Sequence, residues 1–342
     1  MENKVYPEQK RRARVISEYK GAYKVKNENG EFLARVTGKQ MFNALSREDF
    51  PAVGDWVLID ELPENQAVIR EILPRRTIIK RKQNNRDAVQ VIATNIDVAF
   101  VVESFGRDFN LNRFERYFSI AKDGGVKPAI IINKIDLILK EELDEKLAQI
   151  KDRFGNVDII ATSTVNDEGL GQLKNYIEKD KTYCFLGSSG VGKSSLINKL
   201  LGEDLIKTEE ISSYADRGKH VTTTRQMYFL PNGAIVIDNP GMREIGVTNI
   251  SAGLDDVFDQ INALSENCKY RDCTHTHEKG CAVLKAVEKG EIDKQKYQNY
   301  LNIKKESEYF EMSEIEKREK EKDFGKFINK AKKSLKQYGH KK

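Results

Sequence analysis

The stretch Gly187-Ser188-Ser189-Gly190-Val191-Gly192-Lys193-Ser194 spells G-x-x-x-x-G-K-S. At that spacing the glycines let the backbone wrap closely around a polyphosphate, whose charge meets successive N–H groups and the start of the next helix. Lys193 is placed to reach the β- and γ-phosphates, and Ser194 to set its hydroxyl on Mg²⁺. The context agrees: apolar Tyr183-Cys184-Phe185-Leu186 runs into the loop, and the amphipathic stretch from Lys193 to Leu201 follows, with Gly202 as its stop. Cys184, inside that strand, reads as an inert buried thiol.

A second loop, Asn133-Lys134-Ile135-Asp136, ends the apolar run Ala129-Ile130-Ile131-Ile132, where α/β sheets bind ligands. A fixed carboxylate at Asp136 accepts both the ring N–H and the exocyclic amine of guanine, a donor pair that adenine lacks. The Lys134 stem can lie along the base, and Asn133 can tie this loop to the phosphate loop. Alone, N-K-x-D reads as a surface turn; beside a P-loop it points to GTP and GDP. Ser163-Thr164 can support the base from its edge. Asp238-Asn239-Pro240-Gly241 closes another apolar strand, placing Asp238 for an outer-sphere contact to Mg²⁺ and the Gly241 N–H toward the γ-phosphate. Between them, Gly218-Lys219-His220-Val221-Thr222-Thr223-Thr224 offers hydroxyls, Thr223 and Thr224 among them, for the remaining Mg²⁺ position. Taken singly, each of these last three is as readily an ordinary turn or strand start.

The order carries more than the pieces. The base-reading loops, at 133 and 163, precede the phosphate loop at 187, and the switch segments follow it. Ordinary GTPases run the other way, so this is the pattern of a circularly permuted one. A parallel sheet tolerates the rotation because its loops, not its ends, build the site. The chain beyond Asp238–Gly241 then leads straight into the next domain, which is expected to receive the state of the γ-phosphate directly.

That next region opens with Cys268-x₄-Cys273-x-His275-x₅-Cys281, three thiols and one imidazole within fourteen residues. Such a set suits a closed, structural tetrahedral Zn²⁺ site with no position left for water. His277 competes with His275 at similar reach, and spacing alone does not choose between them. The H-x-E and P-C-x-x-C of a zinc deaminase are missing.

The elements that would position these groups follow from patterning. The chain has 342 residues, enough for two or three domains, with 39% apolar and 32% charged residues, the profile of a globular protein. Before residue 80, short alternating segments (Arg14–Ser17, Gly21–Val25, Phe32–Val36, Val53–Ile59) separated by turns such as Asn29-Gly30 predict a small β-barrel of the OB type, with an SH3-like barrel equally compatible. Apolar runs at 98–102, 129–132, 157–161, 183–186 and 234–237, alternating with helical stretches at 112–121, 141–154 and 193–201, predict a doubly wound α/β domain. The expected division is 1–80 barrel, 81–255 GTPase, and 256–342 helical zinc-binding domain. The last is expected to hold a helix at 282–288, a solvated helix at 306–322 and a basic tail.

From Lys326 to Lys342 there are seven lysines and no acid, and Lys10, Arg11, Arg12 and Arg14 cluster near the start. These read either as solvated ends or as phosphate-binding patches of the kind nucleic acids require. No run reaches the roughly 20 apolar residues of a spanning helix. Four cysteines, three of them crowded together, point to metal in a reducing compartment, hence a cytoplasmic protein.

Together these residues resemble the small-ribosomal-subunit-dependent GTPase A (RsgA) family over nearly the whole chain. Phe109-Asn110-Leu111 with Glu115-Arg116-Tyr117, and Pro51-Ala52-Val53-Gly54-Asp55, are similar to that family as well. The resemblance implies a monomeric late-acting assembly factor that binds the 30S subunit and its 16S rRNA, hydrolyses GTP when the subunit stimulates it, and leaves. It implies nucleotide contacts at Asn133 to Asp136 and at Gly187 to Ser195, with Zn²⁺ on Cys268, Cys273, His275 and Cys281. Two departures stand out. The third motif is D-N-P-G where the family usually has D-T-P-G, and Val221 precedes the threonine run where the family often has a histidine, leaving His220 one residue away as the candidate for positioning water. Met242 follows Gly241 where many GTPases carry a water-orienting Gln, so slow intrinsic hydrolysis is expected. The competing reading is an RNA-binding scaffold that uses GTP only as a structural switch. A third is a GTPase acting on another RNA.

Overall fold

The computed structural model describes residues 12–82, 89–106, 109–155, 157–206, 225–239 and 250–313, together with Glu316, Lys317, Glu319, Lys322, Lys326 and Ile328. Near the N-terminus, β1 (Arg12–Tyr19) pairs antiparallel with β2 (Ala22–Asn27), and β2 with β3 (Gly30–Val36). A short helix, α1 (Gly38–Asn43), leads to β4 (Trp56–Leu62) and β5 (Gln66–Ile72). β5 lies parallel to β3 and antiparallel to β4, and β4 returns to β1. This closed order, with a helix between the third and fourth strands, is that of an OB barrel and decides against the SH3-like alternative. Alternate residues such as Val15, Val25, Ala34, Val57 and Ile69 point inward and are buried, which is why the period-two pattern was readable.

A hairpin, β6 (Ile78–Lys82) and β7 (Val89–Thr94), joins the barrel to the central domain. Its central strands are β8 (Val98–Ser104), β9 (Lys127–Asn133), β10 (Ile159–Thr162) and β11 (Thr182–Leu186), followed by β12 (Gln226–Phe229) and β13 (Ile235–Asp238). Spatially they run β10-β9-β8-β11-β13-β12, parallel throughout except for β12. Helices α2 (Leu111–Asp123), α3 (Lys140–Phe154), α4 (Leu170–Tyr176) and α5 (Lys193–Leu201) connect them. Along β8, Ala99 and Val101 enter one core while Val98, Phe100 and Val102 enter another. Both faces are covered, so the strands read as unbroken apolar runs.

The barrel and the central sheet form one eleven-stranded sheet, joined where Ser17 of β1 pairs with Gln226 of β12. Arg14 reinforces the seam: its guanidinium donates to Gly54 O, Asn95 O and Thr182 Oγ1 at 3.3, 3.2 and 3.0 Å. Beside it, Asp55 is wholly buried, with Arg75 donating to both its oxygens at 2.8 Å and Thr94 Oγ1 at 2.7 Å. Gly54 has φ +98°, and a Cβ there would lie 2.1 Å from Thr94 O. The Pro51–Asp55 motif is thus a junction between the barrel and the central α/β domain.

The C-terminal region is helical: α6 (Ser251–Val257), α7 (Asp259–Ser265), α8 (Ala282–Glu288) and α9 (Lys294–Glu311). The helix expected at 306–322 is present in part, but it begins earlier and is interrupted after Glu311. α9 starts twelve residues earlier, capped by Asp293, which accepts from Lys296 N, and its last helical residue is Glu311. Glu316, Lys317, Glu319 and Lys322 are helical beyond that break. Tyr297, Tyr300, Leu301 and Ile303 bury one face of α9 against α6 and the metal loop, so it is a packed element rather than a solvated one.

Candidate nucleotide site and metal centre

The phosphate loop connects β11 to α5. Gly187, Gly190 and Gly192 have φ +142°, +83° and +94°, values that a side chain rarely tolerates. A Cβ at Gly187 would meet Val102 O at 2.2 Å, so the loop can only be built against β8 with glycine there. Lys193 is buried, and its ammonium donates to Gly187 O and Ser188 O at 2.8 and 2.7 Å. Burial lowers its pKa, with the charges of Asp238 and Glu103 opposing. Val191 is buried, Ser188, Ser194 and Ser195 are half-buried, and Ser189 is exposed.

The Asn133–Asp136 loop stands next to it. Asn133 is wholly buried and donates from Nδ2 to Val191 O at 2.9 Å, which joins the two loops directly. A Cβ on Gly192 would sit 2.2 Å from that nitrogen, so the third glycine makes room for the tie. Lys134 adopts the left-handed conformation (φ +64°), turning the chain so that Ile135 packs inward and Asp136 stays exposed. Ser163 is buried and donates from Oγ to Asp136 Oδ1 at 2.5 Å. Thr162 was not singled out in the sequence. Its hydroxyl donates to Asn133 Oδ1 at 3.1 Å, and its only sequence signal was adjacency to Ser163.

Asp238 ends β13, 6% exposed, and its Oδ1 has no hydrogen-bond partner among the described residues. Burial raises its pKa, and the Lys193 charge pulls it back. Asn239, next to it, donates to Cys184 Sγ at 2.9 Å, and burial pushes that thiol well up. Asp238 and Lys193 therefore lie within electrostatic reach of one another. His220, Val221, Thr223, Thr224, Gly241 and Met242 lie outside the described residues, as do Lys10, Arg11 and nearly all of the basic tail.

In the C-terminal region Cys268, Cys273, His275 and Cys281 bring their ligand atoms within 4.8 Å of one another. Cys268 Sγ lies 3.8 Å from Cys281 Sγ, and His275 Nδ1 lies 3.6 and 3.5 Å from those sulfurs. A tetrahedral ion at about 2.3 Å from sulfur and about 2.0 Å from nitrogen would give edges of roughly 3.8 and 3.5 Å, so this set fits such an ion. His275 has φ +61°, and Tyr297 OH holds its carbonyl at 2.5 Å. The Ala282 and Leu284 N–H groups donate to Cys268 Sγ and Cys281 Sγ, each at 3.4 Å. His277 turns away, its Nδ1 on Thr276 Oγ1 at 2.8 Å.

The comparisons agree with this geometry. A family model described as "RsgA GTPase" matches residues 72–248, and one described as "50S ribosome-binding GTPase" matches 182–323. The small ribosomal subunit biogenesis GTPase RsgA 2 of Lactiplantibacillus plantarum is 43% identical over 296 residues, covering 86% of this chain and 83% of that protein. RsgA 1 of Bacteroides thetaiotaomicron is 37% identical over 323 residues, covering 94% and 90%. Among solved structures, YjeQ from Thermotoga maritima superposes with a TM-score of 0.63 at 26% identity, covering 86% of this chain and 96% of that one. YloQ, a circularly permuted GTPase, shares the fold with a TM-score of 0.59 at 23% identity, covering 86% and 95%. An N-K-x-D loop that precedes the G-x-x-x-x-G-K-S loop in sequence and packs beside it, a closed barrel before and a Cys₃His cluster after: the chain belongs to the RsgA GTPase family.

Proposed function

We propose that this GTPase hydrolyses GTP as a late-stage assembly and maturation factor of the 30S ribosomal subunit, which stimulates it and from which it departs after hydrolysis. The observation that carries the reading is the Asn133–Val191 bond, which sets a guanine-selective carboxylate and a phosphate loop at one fixed spacing. The relatives' own description, small ribosomal subunit biogenesis GTPase, supplies the partner.

In this reading guanine is held by Asn133, Lys134, Ile135 and Asp136, with Ser163 bracing Asp136. The phosphates are held by Gly187 to Ser195 and the Gly241 N–H. Mg²⁺ is held by Ser194, Thr223 and Thr224, with Asp238 behind it, and His220 positions the water. Zn²⁺ fills the Cys268–Cys273–His275–Cys281 set and stiffens the C-terminal region. The divisions 1–80, 81–255 and 256–342 are the corresponding functional units, acting as a cytoplasmic monomer on 16S rRNA. Among the described residues, no helix is long and apolar enough to cross a membrane.

Co-sedimentation tests the partner. The full chain with a non-hydrolysable GTP analogue should pellet with purified small subunits and stay in the supernatant with GDP. Equal pelleting in both nucleotide states would contradict the proposal.

A further inference from the structure

Gly187, Gly190 and Gly192 all take positive φ, and residues with so little intrinsic preference leave the shape of the phosphate loop to its neighbours. One end of the loop is pinned by Asn133 at Val191. The other end is pinned from outside by α2. Arg113 NH1 donates to Ser188 Oγ at 3.3 Å, and Tyr117, one turn further on, engages the same hydroxyl. Ser188 is also the residue whose carbonyl accepts from Lys193 Nζ. Fixing its side chain fixes the backbone on which Lys193 rests.

The same helix is held by the C-terminal region. Asn299 of α9 donates to Asn112 O at 3.2 Å and to the carboxylate of Glu115, which is wholly buried. Arg153 of α3 completes that cluster, with Nε on Glu115 Oε1 at 2.9 Å and NH2 on Asn112 Oδ1 at 2.7 Å. Arg116 meets Glu306 of α9 through both arms, at 2.9 and 2.8 Å. Gly253 of α6 packs so closely on α2 that a Cβ would lie 2.0 Å from Ser119 O. Contacts to the phosphate loop and contacts to α9 therefore alternate within two turns of one rigid element.

We propose that Arg113 is a positioning residue for the phosphate loop, acting through the Ser188 hydroxyl, and that α2 thereby couples the loop's grip on a diphosphate to the seating of α9. This deepens the nucleotide reading above and rests on it. Spatial continuity alone does not establish coupling, so the test is a double-mutant cycle.

The full chain is titrated with GDP and, by competition, with guanosine, for wild type, Arg113→Ala, Glu306→Gln and the double variant. Arg113→Ala should weaken GDP by about five- to tenfold, the worth of one hydrogen bond, and leave guanosine unchanged because the base loop is untouched. Arg113→Lys should recover part of the loss. Glu306→Gln, at a half-exposed site, should weaken GDP by about twofold, with the double variant losing less than the product of the two. GDP affinity of Arg113→Ala within twofold of wild type, or an equal loss for guanosine, overturns the positioning role. Strictly multiplicative losses overturn the coupling. Wild type that binds neither ligand overturns the nucleotide reading itself, and this inference with it.

Discussion

Ser163 Oγ donates to Asp136 Oδ1 at 2.5 Å, from a wholly buried side chain to an exposed one. The buried Ser163 hydroxyl fixes the orientation of the exposed Asp136 carboxylate, which in the proposed site is the acceptor pair for guanine. Ser163→Ala should weaken GDP by about fivefold, near 1 kcal/mol for a lost bond of this kind, and leave ADP as poor a ligand as before. Calorimetry checks it; undiminished GDP affinity would remove Ser163 from the site.

Asp55 and Arg75 form a buried bidentate pair at the junction of barrel and GTPase, with Asp55 at 0% and Arg75 at 15% side-chain exposure. Removing either partner leaves a buried charge, so Asp55→Ala and Arg75→Ala should each cost about 3–5 kcal/mol by chemical denaturation. Their double variant should lose less than the sum. Full additivity would show that the two act separately.

Asp238 carries a carboxylate that burial disfavours, since its pKa is raised in the fold. The folded protein holds that proton more tightly than the unfolded chain, so stability falls as pH rises through the interval between the two values. Asp238→Asn should therefore melt higher than wild type at pH 7.5 without nucleotide, by about 1 kcal/mol, and the gap should close toward acid pH. The same variant should lose the Mg²⁺ dependence of GTP affinity. A lower melting point at neutral pH would contradict the assignment.

The Cys₃His cluster should hold one metal ion per chain. Stripping it with a strong chelator should release the 259–311 region from its fold, at a cost of at least about 5 kcal/mol. Hydrogen exchange should then rise at Tyr297 and Tyr300 on α9, while Phe100 and Phe185 in the central sheet stay protected. Cys281→Ser should reproduce the effect, whereas His277→Ala should not. Unchanged exchange along α9 would mean that the helices stand without metal.

The chemistry-bearing groups were legible because each motif is local: G-x-x-x-x-G-K-S, N-K-x-D and the cysteine spacing each fit within fourteen residues. The parallel strands were legible because both their faces are buried. The start of α9 was missed because four of its six buried residues, Tyr297, Asn299, Tyr300 and Ser307, are ones that hydropathy does not mark as core, leaving only Leu301 and Ile303 to signal it. The β6–β7 hairpin and β12 escaped because their residues are mixed in character and their pairing partners decide their fate. Arg113–Ser188 and Asn299–Glu115 join residues 75 and 184 positions apart, and no spacing rule reaches that far.

The central claim is a permuted GTPase driven by the small ribosomal subunit. Its most direct test is GTP turnover by the full chain, titrated with purified small subunits beside a Lys193→Ala control. The account predicts slow hydrolysis alone, saturable acceleration by the subunits, and neither in the control. A rate indifferent to the subunits, or one that survives in Lys193→Ala, would contradict it.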